Sequence, residues 1–203
     1  MAGIVRRRDD RALDLYLLVL AICSKEPWDV TLPAAVWTRT LHLTNAPSAV
    51  SKAWRRLEHA KLIRRERHGR LTRVFLLRED GSGEPYTHPG ADGRPYFRVP
   101  FDFWLAPQGW NRRMPLSAKA VLLVGLSLPD AFILPYDRAP DWYGVSADTA
   151  ARGLRWLRKH DLLYVEKRLK PAPLSAQGYT EERRYTLMPP FGPRGVKRGA
   201  KAS

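Results

Sequence analysis

Along this chain the spacing of apolar residues is first helical, then alternates as in strands, and the whole order then returns a second time. Residues 11–24 are apolar on nearly every side. That predicts a central, buried helix, with Asp9 or Asp10 as N-cap and Pro27 just past its end. Residues 32–41 read as a second helix, with Pro33 in its first turn and Val36, Trp37 and Leu41 on its apolar face. Thr44-Asn45-Ala46-Pro47 supplies a turn, and 47–60 reads as a third helix with Val50, Ala53, Trp54 and Leu57 inward. Then the period changes. The segments 62–67 and 71–77 are rich in apolar and β-branched residues, and they flank His68-Gly69-Arg70, a short turn with glycine where positive φ is wanted.

Residues 80–94 carry Gly, Pro and acidic residues without any period, which predicts a linker. Beyond it a helix is expected from Leu116 to about Leu128, capped by Ser117, then a short helix at 139–144. A third helix is expected at 147–160 behind a Ser146 cap, with Ala150, Leu154 and Leu157 inward. Strands follow at 162–168 and 183–187, joined by a long loop. A shift of 100 positions superimposes the two halves: Val50 meets Ala150, Ala53 Gly153, Trp54 Leu154, Leu57 Leu157, Leu62 Leu162 and Ile63 Leu163. Apolar falls on apolar across a helix–strand junction, as expected for one motif used twice. The expected organisation is therefore a domain over 1–79, a linker over 80–94, a second domain over 95–190 and a basic, disordered tail over 191–203.

Charge narrows the range of partners. The 203 residues carry a formal net charge of +15, and both halves share it: 18 Lys/Arg against 11 Asp/Glu in 1–100, and 17 against 9 in 101–203. A surplus spread in this way points to a polyanion. Seven Trp, eight Tyr and six Phe argue for packed cores and against a disordered polybasic chain. The lone cysteine, Cys23, excludes a disulfide within the chain and suits a reducing compartment. Arg6-Arg7-Arg8 before the apolar Leu15–Cys23 run imitates a leader peptide. Asp9, Asp10 and Asp14 between them, and bulky Ile22 where a small residue is wanted, favour a buried helix instead. No segment is long enough to span a membrane.

The segment Ser48–Ile63, with its polar start, small residue in mid-helix, then leucine and an apolar exit into a strand, resembles the recognition helix and first wing strand of bacterial winged helix-turn-helix regulators. Ala60-Lys61 stands where that exit often has glycine, and Ser146–Tyr164 fits the same pattern. The tandem arrangement also resembles two-domain plasmid replication initiators. The resemblance implies an α+β fold of two tandem winged-helix domains, each of three helices and a hairpin wing. It further implies duplex DNA binding, with the third helix in the major groove and the wing on the backbone or minor groove.

Facing outward from the first third helix are Ser48, Ser51, Lys52 and Arg55, at i, i+3, i+4 and i+7, with Asn45 just before them. Lys52 and Arg55 suit guanine O6 and N7, while Asn45 and Ser48 suit phosphate or adenine. Between Ser48 and Arg78 ten Lys/Arg face only two Glu, and within that wing Arg67, His68, Arg70 and Arg73 are the expected phosphate contacts. The second stripe is Asp148, Thr149, Arg152 and Arg155, with Lys159 beyond it. Asp148 is expected to cap the helix, with a proton from cytosine N4 as the alternative. Lys167, Arg168 and Lys170 begin the second wing, and Arg183 and Arg184 close it. The stripes differ, which predicts two unlike half-sites. A free linker of about 15 residues would reach roughly 50 Å, more than one duplex turn of about 34 Å. Trp54, Trp142 and Trp156 are expected in cores more than on bases.

No catalytic constellation is present in the sequence. Gly81-Ser82-Gly83 lacks the Gly-Lys-Ser/Thr of a phosphate loop, the five histidines are scattered, one cysteine cannot build a thiolate zinc site, and Asp137 with Asp141 suits capping. The expectation is a non-enzymatic, cytoplasmic, nucleoid- or plasmid-associated protein without cofactor, metal or small-molecule ligand. It acts as a transcriptional regulator that represses by occupying DNA, or as a plasmid or phage replication initiator. A protein-interaction adaptor is the third class. Whether both domains bind DNA, or one forms a homodimer, stays open.

Overall fold

The computed structural model describes residues 9–92, 96–105, 109–135 and 138–192. Arg6–Arg8, Asp137 and the basic tail from 193 onward lie outside the described residues. The fold is mixed α+β, helices with two small antiparallel sheets. The chain divides into two units, Met1–Met114 and Pro115–Ser203.

In the first unit α1 spans Asp10–Ile22. Asp9 is the N-cap: its carboxylate accepts the Ala12 N–H at 3.2 Å. Ala12 through Val19 are all buried, which accounts for a helix with no polar face. Strand β1, Asp29–Leu32, precedes α2, Ala34–Thr40, whose N-cap position is Pro33. Helix α3, Pro47–His59, starts on proline and buries Ala49, Val50, Ala53, Trp54 and Leu57. Trp54 meets Trp37 of α2 edge to face at 5.1 Å. Strands β2, Ile63–His68, and β3, Leu71–Leu76, form the hairpin, and Gly69 in its turn has φ 61°. The sheet order is β1-β3-β2, with Val30 opposite Val74 and Ile63 opposite Leu76 on the core side.

The segment expected to be a free linker packs on this unit instead. The Arg78 N–H donates to the Glu84 carbonyl at 2.9 Å, Leu77 bridges Pro85, and His88 stacks on Trp28 at 5.5 Å. The reach assigned to a linker over 80–94 therefore does not hold for its described part, 80–92. Chain beyond it also belongs to the first core: Phe103 and Trp104 are buried, and the Trp104 indole N–H donates to the Asp14 carbonyl at 3.4 Å. Helix α4, Trp110–Arg113, closes the unit, so the boundary falls after Met114 rather than in 80–94.

The second unit opens with α5, Leu116–Leu126, buried from Ala118 to Leu123. Its N-cap position is Pro115, and Ser117 lies inside the helix rather than capping it. After α6, Ala139–Tyr143, comes α7, Ala147–Lys159, which buries Ala150, Gly153, Leu154 and Leu157. Strands β4, Leu163–Pro171, and β5, Tyr179–Leu187, pair over nine residues each, so the hairpin runs well past the strand ends expected from the sequence. Among the described residues no third strand joins this pair; a bridge stands there instead, the Tyr185 N–H donating to the Phe132 carbonyl at 2.8 Å. No helix among the described residues is long and apolar enough to cross a membrane.

Candidate nucleic-acid interface

The junction between α3 and β2 is repeated in detail between α7 and β4. The Leu62 N–H donates to the Leu57 carbonyl at 3.1 Å and the Lys61 N–H to that of Glu58 at 2.9 Å. One hundred residues on, Leu162 donates to Leu157 at 2.9 Å and Asp161 to Arg158 at 3.2 Å. Each pair is a Schellman closure, which needs a left-handed residue between helix and strand. Lys61 (φ 54°) and Asp161 (φ 58°) take that conformation without being glycine. The absence of glycine from the exit thus leaves its geometry intact. Both closures aim a strand away from the helix so that the helix keeps one face free.

On α3 that face is the expected one. Asn45, Ser48, Ser51, Lys52 and Arg55 are exposed, and among the described residues Lys52 and Arg55 have no carboxylate partner. Arg56, one step round the helix, is bound instead: its guanidinium donates to both Asp9 oxygens, at 2.9 and 3.0 Å. Arg65, on the core side of β2, pairs with Glu58 at 2.6 Å and lies against Trp54.

The first hairpin divides its cations between two faces, since strand side chains alternate. Arg67 and Thr72 continue the face of Ile63 and Val74, with the Arg67 Nε donating to the Gly69 carbonyl at 3.3 Å. His68 and Arg70 are exposed at the tip. Arg73 lies on the opposite face, bound to Asp29 of β1, and it stacks on Phe75 at 4.8 Å while Arg64 covers the same ring at 4.3 Å. The hydrogen bond from Arg73 holds the Asp29 carboxyl below the usual carboxylate range and raises the guanidinium pKa in return. Expected as a phosphate contact, Arg73 is thus engaged within the sheet.

On α7 the cap is Ser146, whose hydroxyl oxygen accepts the Thr149 N–H at 3.3 Å and also bonds the Thr149 hydroxyl at 2.8 Å. Ser146 is the cap expected from the sequence; Asp148, expected as a further capping side chain or a cytosine acceptor, instead pairs with Arg152 at 3.0 Å one turn on. Arg155 and Lys159 are exposed and have no carboxylate partner among the described residues. The second hairpin is internally compensated. Lys167 pairs with Glu181 at 3.0 Å, Arg183 with Glu181 at 2.8 Å, Arg168 with Glu166 at 2.9 Å and Arg184 with Glu182 at 2.9 Å. Hydrogen bonds from Arg183 and Lys167 hold the Glu181 carboxyl below its ordinary range, and the bond to Glu166 raises the Arg168 guanidinium. Lys170, nearest the tip, is exposed and outside these pairs.

Of the three tryptophans considered for stacking, Trp54 is buried and Trp156 stacks on His160 at 3.8 Å, but Trp142 is 58% exposed. Leu169, Leu174 and Tyr179 on the second hairpin are exposed and drew no attention in the sequence, where isolated apolar residues among prolines look like ordinary loop. Among the described residues no group of three His, Cys, Asp or Glu side chains is placed to hold a metal ion. Each unit thus has its own candidate interface, the α3 face in the first and the α7 face in the second, each followed by a hairpin bearing cations. No protein-family model, curated protein or solved structure matches this chain.

Proposed function

We propose that this chain is a sequence-specific double-stranded DNA-binding protein of two winged-helix units, and that it acts as a transcriptional regulator reading a bipartite site with α3 and α7. One observation carries the reading. The same helix, left-handed closure and strand occur twice at a spacing of 100 residues, and both times the helix turns a polar, cation-bearing face to solvent. Three helices followed by a hairpin is the winged-helix order. Such a unit lays its third helix in the major groove, where an arginine or lysine reads guanine O6 and N7 and a serine accepts or donates to either strand. Lys52 and Arg55 suit that requirement, because among the described residues neither is spent on a carboxylate. Hairpin cations then add salt-dependent affinity through phosphate. The stripes Ser48-Ser51-Lys52-Arg55 and Asp148-Thr149-Arg152-Arg155 differ in chemistry, so the two half-sites differ in sequence.

The test is selection of bound duplexes from a random library, with affinities of the winners followed across a salt series. An enriched asymmetric motif with a steep salt slope is expected. Arg55→Ala then weakens binding by about 1–3 kcal/mol and relaxes preference at one base position; in the other half-site Arg155→Ala is expected to do the same, and Arg152→Ala, whose guanidinium is shared with Asp148, to do less. A steep slope without any motif would reduce the protein to a non-specific binder. Binding indifferent to salt would replace DNA by a protein partner.

A further inference from the structure

We propose that the tip of the second hairpin is an apolar wedge that enters the minor groove and kinks the duplex at a base step beside the site read by α7. The proposal rests on the DNA-binding reading above and adds a second mode of contact to it.

The β4–β5 hairpin outruns the core it serves. Leu163 and Leu187 are buried, and Tyr185 opposite Val165 is the last buried side chain going outward along the pair. Glu166–Pro171 and Tyr179–Arg184 continue the ladder into solvent, roughly 20 Å of strand at about 3.3 Å per residue. Among the described residues no strand pairs with either edge of this extension, and the bridge from Phe132 reaches only Tyr185. The tip is nevertheless ordered: Ala172 donates to Gly178 at 2.9 Å, Ser175 to Ala172 at 2.9 Å, Gly178 to Ser175 at 3.0 Å, and the Ser175 hydroxyl to Tyr179 at 3.0 Å.

What this arm presents is apolar. Leu174 is fully exposed (104%), Leu169 is 70% exposed and Tyr179 47%. Leu169 and Pro171 lie on the face that covers the core near Leu163, with Tyr179 opposite Pro171. Pro171 and Pro173 stiffen the approach to Leu174.

Charge selects the occupant. From Lys170 to Tyr179 there is one lysine and no acid, so nothing at the tip repels phosphate. Behind it, Arg168–Glu166, Arg183–Glu181 and Arg184–Glu182 pair within a strand and Lys167–Glu181 pairs across the two, so each strand acid is offset by a neighbouring cation. An apolar point at the end of a long arm, with Lys170 next to Pro171 and outside those ion pairs among the described residues, suits a groove lined by phosphates. Leucine and proline are side chains that unstack base steps from the minor groove, with kinks of roughly 20–90°. The first hairpin differs: its tip is His68-Gly69-Arg70, and Leu71 beside it is 38% exposed against 104% for Leu174.

The experiment measures end-to-end energy transfer on a short selected duplex, with the full chain and with Leu174→Ser. The side chain is fully exposed, so the substitution leaves folding unaffected. The wild type is expected to shorten the end-to-end distance, and Leu174→Ser to bind with the same salt slope but leave the duplex straight, because no phosphate contact is lost. Leu169→Ser is expected to give a smaller kink. Wild-type binding without a bend, or an equal bend from Leu174→Ser, overturns the wedge and leaves the DNA-binding reading standing. Loss of self-association in Leu174→Ser with bending unchanged overturns it in favour of a protein contact. Failure of the wild type to bind any duplex sinks both readings.

Discussion

The hairpins of the two units leave their helices through matching hydrogen bonds and then diverge. The first is six residues a side, carries five Arg against one Glu, and is flanked by a third strand whose Asp29 binds Arg73. The second is nine residues a side, sets three Glu against five Lys/Arg, has no third strand among the described residues and ends in an exposed leucine. The closing of the cores differs too. The first unit uses a distant segment bearing Phe103 and Trp104, whereas the second uses Met188 and Phe191 just past β5. A repeated helix–strand junction therefore constrains only itself. What lies beyond it is free to become a short cation-rich hairpin or a long one with an apolar tip.

The largest effect expected from breaking this comparison is at Trp104. Trp104→Ala should cost about 3–5 kcal/mol in denaturant unfolding, the usual loss for a buried aromatic. Trp142→Ala, at an exposed site, should stay within about 0.5 kcal/mol. If Trp104→Ala were equally mild, the segment beyond residue 95 would not belong to the first core.

Next comes the helix contact within each unit. A Cβ on Gly153 would sit 2.3 Å from the Ser117 carbonyl oxygen and 2.6 Å from Val121 Cγ2, so α7 approaches α5 as closely as only glycine permits. Gly153→Ala is expected to cost about 3 kcal/mol through overpacking. The corresponding change in the first unit, Ala53→Gly, should cost only about 1 kcal/mol through helix propensity. Calorimetry of both variants decides the point, and equal losses would remove the distinction between the two packings.

The left-handed closures give a gain rather than a loss. Lys61→Gly relieves a side chain held at φ 54° and should add about 0.5–1 kcal/mol. Asp161→Gly should gain less, since a short polar side chain tolerates this conformation better than lysine. A loss of stability from Lys61→Gly would show that the lysine side chain does more than occupy the turn.

The smallest effect is a slope. Asp29 has its carboxyl pKa depressed by Arg73, so its contribution is complete above the unfolded carboxylate value of about 3.9. It is lost as pH falls through the lower folded value. Asp29→Asn should therefore lower stability slightly at neutral pH, where the ionised pair is intact, and change it least in acid, so that the acid limb of the profile flattens. An unchanged acid limb would mean the pair adds nothing to the sheet.

Much of this molecule is legible in local pattern. Helix α1 follows from an apolar run behind an aspartate cap, α3 and α7 from strong amphipathicity, and the first hairpin from a period change around glycine. The outward stripe Ser48-Ser51-Lys52-Arg55 follows from the same periodicity, because a helix that buries Val50, Ala53, Trp54 and Leu57 has only one face left. Strand β1 was not legible: four residues with one buried side chain carry almost no alternation, and Pro33 reads as a helix entry. Nor was the length of the second hairpin, whose outer half pairs Lys and Arg with Glu and so has no apolar rhythm.

By itself, then, the sequence determined the helices, their buried faces, the twofold use of one junction and the surplus of positive charge. These follow from residue type and spacing alone, since each is set by contacts within a few turns of chain. Only the tertiary structure decided which cations stay available. Arg73 is drawn to Asp29 across 44 residues and Arg56 to Asp9 across 47, whereas Lys52 and Arg55 meet no acid among the described residues. It also decided that the glycine- and proline-rich segment after residue 80 packs on the first unit, and that Leu174 stands alone at the end of an arm. Charge and exposure depend on what the fold brings alongside, and no local pattern records that.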